Sequence, residues 1–106
     1  MSETFYAVHR NNPRFVFIAE AEMIGGGQAR VAELSTGGCY LDTINPLPKD
    51  SECRFHIRYG CSSCEFSGRV IYTHAGFGMG IAFTGLTAEQ RSTLDVWLDE
   101  LSRKLS

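Results

Sequence analysis

A chain of 106 residues with a formal net charge of −2 is long enough to bury most of its unfolded surface around one core without staples. That faintly acidic balance excludes extended DNA or RNA binding, which needs many phosphate contacts and a basic stripe, but leaves room for a small anionic ligand on a local positive patch. No run of about twenty apolar residues occurs, and the N-terminus MSETFYAVHR lacks a basic region and a long apolar region; we therefore expect no membrane span, a cytoplasmic protein, and reduced thiols at Cys39, Cys53, Cys61 and Cys64.

The first feature along the chain is RNNPR, residues 10 to 14. Pro13 has no N–H and holds Asn12 extended, so Arg10 and Arg14 do not share a helical face and belong to an irregular arm over about residues 1–14. No Asp or Glu occurs between Tyr6 and Ala19. Two guanidinium forks without a local acid suit a phosphate or a guanine edge, with His9 beside them; a merely solvated basic arm is the plain alternative.

Strands follow. FVFIAEAEM (15–23) begins as an apolar run and then alternates, and IGGGQ breaks it as a hairpin connection would. ARVAEL (29–34) leads into the turn STGG, CYLDT (39–43) is short, and NPLPKD is a loop. ECRFHIRY (52–59) alternates strictly, with Cys53, Phe55, Ile57 and Tyr59 on one face and Arg54, His56 and Arg58 on the other. CEFSGRVIYT (64–73) and GMGIAFT (78–84) complete roughly six strands, which predicts an all-β barrel or sandwich of antiparallel strands over about residues 15–84. The period then changes. TAEQ (87–90) fits a capping box, and Leu94, Trp97, Leu98, Leu101 and Leu105 recur on one face, predicting an amphipathic helix over about residues 87–105 that covers the barrel. Apolar surface left over on it would serve a second copy of the chain.

The remaining motifs are weak singly. In ELSTGG (33–38), Glu33 and Ser35 are two apart on a strand end and are expected on one face, while Gly37 and Gly38 allow a turn or a close approach to a ligand; an ordinary Ser-Gly turn has the same composition. CSSC (61–64) has the spacing of half a zinc site or of a redox dithiol, but no second paired motif completes four ligands and no βαβ context surrounds it, so a thiol-bearing hairpin turn without metal is expected. GFGMG (76–80) is followed by a strand and not a helix, which makes it a hairpin instead of a phosphate cradle. His56 and His74 are expected to face outward. Nucleophile, base and orienting group do not recur at any catalytic spacing, so an enzyme is not expected.

An Arg-x-x-x-Arg arm, then some twenty residues later a turn carrying Ser35 and Gly38, then GRVIY, then GMGIAF ahead of a capped helix, together resemble the PilZ domain over roughly residues 9 to 102. The resemblance implies one domain over 1–106, a six-stranded antiparallel β-barrel with a C-terminal helix, that binds the bacterial second messenger cyclic di-GMP and uses no cofactor or metal. By position, Arg10 and Arg14 match the arginines of the arm, and Ser35 and Gly38 match the serine and final glycine of the turn. Glu33 stands where the family has Asp or Asn, and its extra methylene displaces the carboxylate by about 1.5 Å. In such a site a guanidinium forks onto a phosphate, pairs with guanine O6 and N7, or stacks on the base. Glu33 would accept guanine N–H bonds, Ser35 would offer a hydroxyl, and Gly37 and Gly38 would present backbone N–H groups. Two functions follow as expectations: a sensor whose arm closes over the nucleotide and alters a surface read by a protein partner or a second copy, or a protein-interaction adaptor that no longer binds nucleotide.

Overall fold

The computed structural model describes residues 15–104. It contains β1 (Phe15–Met23), β2 (Gln28–Leu34), β3 (Gly38–Asp42), β4 (Glu52–Tyr59), β5 (Ser62–His74), β6 (Gly78–Phe83) and α1 (Ala88–Lys104). The strands close a barrel in the order β1-β2-β3-β6-β5-β4, with every neighbouring pair antiparallel. Closure comes from β1 meeting β4, Glu20 opposite Arg58 through Met23 opposite Phe55.

Alternation decides what each strand buries. In β4, Phe55 and Ile57 are fully buried while Arg54, His56 and Arg58 are exposed, as the sequence pattern requires of a wall with one dry face. A small barrel must also bend, and irregular register marks where: between Val16 and Ala19 against β2, between Val31 and Glu33 against β3, and between Val70 and Tyr72 against β6. β5 is longer than its alternating pattern suggested. It starts at Ser62, pairs with β4 as far as Arg69, and overlaps β6 from Gly68 onward. Gly68 sits at this crossing, and a Cβ there would fall 2.3 Å from Ile81 Cγ2.

Phe17, Val31, Leu34, Leu41, Phe55, Ile57, Phe66, Val70 and Ile81 fill the barrel, and α1 adds Leu94, Trp97, Leu98 and Leu101 to the same core. The Trp97 ring lies 5.8 Å from Phe17, 5.8 Å from Tyr59 and 6.1 Å from Phe66, between centroids. The helix begins where the capping box predicts. Gln90 N–H donates to Thr87 Oγ1 at 3.0 Å and Thr87 N–H to Gln90 Oε1 at 2.9 Å, satisfying two of the amides a helix start leaves open. Gln90 Nε2 also donates to the Glu65 carbonyl at 2.8 Å, tying the helix start to β5. Leu105, expected on the apolar face, lies outside the described residues.

Candidate functional site

The turn between β2 and β3 is the natural starting point, because four of the six expected ligand residues, Glu33, Ser35, Gly37 and Gly38, fall on or beside it. Arg10 and Arg14 lie outside the described residues. The turn itself is held from within: Ser35 N–H donates to the Gly38 carbonyl at 2.9 Å, the Ser35 hydroxyl donates to the same carbonyl at 3.3 Å, and Gly37 N–H donates to Ser35 Oγ at 3.3 Å. Ser35 is fully buried, whereas Glu33 is half-buried on the outer side. The expected common face is therefore not formed. The strand ends at Leu34, and the chain folds the serine inward to shape the turn instead of continuing the pleat.

Gly38 has a role that its spacing did not reveal. A Cβ on it would lie 2.0 Å from the Ile81 carbonyl oxygen and 3.1 Å from the Ile81 carbonyl carbon, because β3 runs hard against β6 there. Gly38→Ala is expected to destabilise the barrel by about 1–3 kcal/mol through overpacking against backbone that cannot rotate away. The check is a denaturant melt; an unchanged midpoint would show that β6 yields freely. Gly37 has a different tie, its carbonyl accepting Phe83 N–H at 2.8 Å.

Beside the turn stands an aromatic cluster that sequence reasoning missed. Tyr40 lies opposite Glu33 across β2 and β3. Its ring is 6.0 Å from Tyr72 and 5.9 Å from His74, and its hydroxyl hydrogen-bonds His74 Nδ1 at 3.1 Å. Burial, with the charges of Asp42 and Glu33 behind it, pushes the Tyr40 phenol up, so it stays protonated. The rings lie over bare glycines of β6. A Cβ at Gly80 would meet the Tyr72 ring at 2.4 Å, and one at Gly78 the Tyr40 hydroxyl at 2.7 Å. GFGMG thus divides: Gly76, at φ 79°, is in the turn, while Gly78 and Gly80 are a glycine floor inside the strand. The available signal was the alternation of small and large residues on neighbouring strands, visible only once β3, β6 and β5 are known to be adjacent.

The other features have clear places. Cys61 is in the tight turn after Gly60 and exposed, whereas Cys64 is in β5 opposite the core residue Ile57. Burial raises the thiol pKa of Cys39, Cys53 and Cys64, in the last case against a hydrogen bond with Thr93 that lowers it, so these thiols are poor thiolate ligands. Among the described residues no group of three or more His, Cys, Asp or Glu is arranged to hold a metal. His56 and His74 are exposed. A concavity of about 730 Å³ opens between Met23, Ile24, Ile44, Leu47, Cys53 and Met79, but it contains none of the expected ligand residues. Among the described residues no helix is long and apolar enough to cross a membrane.

Comparison with known proteins bears on this arrangement. The sequence model of the PilZ domain matches residues 9–100. The chain belongs to the PilZ domain family. The match begins at the arm and ends in α1, so this PilZ chain contains the whole described barrel within the family region. Its fold is shared with solved structures. The inhibitor of motility MotI/DgrA of Bacillus subtilis aligns with a TM-score of 0.73 at 15% identity, over 91% of this chain and 50% of that one. YcgR of Escherichia coli in complex with c-di-GMP aligns at 0.76 and 14% identity, over 91% of this chain and 47% of that one. The PilZ domain of YcgR with c-di-GMP, also from Escherichia coli, aligns at 0.72 and 13% identity, over 91% and 93% of the two chains. The PilZ chain therefore spans about half the length of MotI/DgrA and of YcgR. No curated protein sequence matches it.

Proposed function

We propose that this PilZ domain binds cyclic di-GMP at the end of the barrel where β1 begins, and that closure of the arm over the nucleotide alters a surface read by a partner protein or a second copy of the chain. The observation that carries the reading is a register. Phe15 pairs with Leu34 and Val16 with Glu33, so the chain passes from the Arg10–Arg14 segment into β1 directly beside Glu33 and the Ser35–Gly38 turn. That start of β1 beside the turn supports a site to which both the turn and the segment preceding Phe15 contribute. In this site Arg10 and Arg14 supply forks for phosphate or guanine, Glu33 accepts guanine N–H bonds, Tyr40 borders the base, and Ser35, Gly37 and Gly38 set the shape of the turn. The roles assigned here are binding roles, with no catalytic step and no cofactor.

Calorimetric titration with cyclic di-GMP, with GTP and cyclic GMP as controls, tests the proposal. Saturable heat with the cyclic dinucleotide alone is expected; its absence would leave the adaptor reading, which the inward-turned Ser35 hydroxyl favours.

Glu33 provides a second prediction. If its carboxylate meets the base from a poorly matched distance, Glu33→Asp tightens binding and Glu33→Ala weakens it, each by about threefold to tenfold, the worth of a modest change in one hydrogen bond. A backbone-only contact predicts instead that Glu33→Ala helps by removing a negative charge near phosphate. Weaker binding by Glu33→Asp than by wild type would overturn the role assigned to this side chain.

A further inference from the structure

Five of the six described arginines face a carboxylate: Arg30 with Asp42 at 3.8 Å, Arg54 with Glu65 at 3.4 Å, Arg58 with Glu20 at 3.6 Å, Arg69 with Glu52 at 3.1 Å, and Arg103 with Asp99. Arg91 is the exception: among the described residues no carboxylate lies within ion-pair distance of it. It is exposed on α1, and its Nη1 donates to the carbonyl of Thr36 at 3.4 Å. Thr36 is the second residue of the Ser35–Gly38 turn. A guanidinium has five N–H donors, and this single long bond occupies one of them. The helix start that holds Arg91 is fixed in place, by the capping box and by the Gln90 bond to Glu65, and the turn is fixed by Phe83 N–H on the Gly37 carbonyl. A rigid frame therefore places a guanidinium with no acid partner among the described residues against the Ser35–Gly38 turn.

We propose that Arg91 is a third guanidinium of the nucleotide site, contributed by α1, and that its bond to a ligand phosphate couples occupancy of the site to the helix. The inference rests on the cyclic di-GMP reading above. Its chemistry matches that of the arm: a cation left without an acid partner is available to a phosphodiester, and a fork onto phosphate gives shorter and stronger bonds than a single long contact to a neutral carbonyl. The alternative is that Arg91 is only a strut between helix and turn. A strut affects stability, whereas a ligand contact affects affinity and its salt dependence.

The test compares wild type, Arg91→Ala and Arg91→Gln, by titration with cyclic di-GMP at several salt concentrations and by thermal melting. Glutamine removes the charge and is too short to keep the Thr36 bond, so the melt reads any strut role while the affinity and its salt dependence read the ligand role. Both variants are expected to bind about tenfold more weakly or worse, with a shallower dependence of affinity on salt and an unchanged melting temperature. In wild type, ligand should slow amide exchange at residues 88–92; in the variants it should not. Wild-type affinity in Arg91→Gln overturns this proposal alone, and absence of binding by wild type overturns it together with the function it rests on.

Discussion

Alanine at both Arg10 and Arg14 is expected to weaken cyclic di-GMP binding by about a hundredfold to ten-thousandfold, on the basis that each charge-assisted bond contributes about 1.5–3 kcal/mol. Each single substitution should leave roughly a tenth to a hundredth of the affinity, and the double variant should show whether the two guanidiniums act on separate ligand groups or share one, since shared contacts are not additive. Stability is expected to barely move, because the core formed by the described residues, from Phe17 to Leu101, is already filled by apolar side chains. The measurement is titration at a fixed, stated salt concentration, since an anionic ligand makes every affinity depend on screening. Wild-type affinity in the double variant would remove the arm from the site. Loss of binding there with retention in Glu33→Ala would instead assign recognition to phosphate more than to base.

The largest effect on folding is expected at Trp97. It is 2% exposed and lies within about 6 Å, centroid to centroid, of Phe17 and Tyr59. Trp97→Ala should cost about 3–5 kcal/mol, combining lost burial with the cavity left between helix and barrel. Small domains have only about 5–15 kcal/mol in total, so the loss should appear as a large fall in the denaturant midpoint. Trp97→Phe should recover part of it by restoring a ring against Phe17. A midpoint unchanged in Trp97→Ala would show that α1 contributes little to the stability of the barrel. The same helix carries Arg91, so a variant that loosens α1 should also reduce ligand affinity if Arg91 acts on the nucleotide, and should leave it intact if the site is confined to the arm and the turn.

All six strands and the helix start were readable from local pattern, each strand end to within two residues. FVFIAEAEM and ECRFHIRY coincide with β1 and β4, because a wall wet on one side and dry on the other imposes a period of two on any strand that forms it. TAEQ coincides with the cap of α1, because the partners of the first helical amides lie three residues away in the chain. The candidate site was legible as a list of residue types: arginines without acids, and a serine and glycines in a turn. What the sequence by itself determined was therefore local, an alternating barrel wall and a capped helix, together with a candidate ligand motif. The tertiary structure alone decided the pairing of β1 with β4 that closes the barrel, the register that sets Val16 beside Glu33, the burial of Ser35, the fit of Gly38 against Ile81, the rings of Tyr40 and Tyr72 over Gly78 and Gly80, and the approach of Arg91 to Thr36. Each of these depends on which strand or helix lies next to which, and adjacency between segments dozens of residues apart follows from burying one common core, a property of the whole chain that no window of neighbouring residues contains.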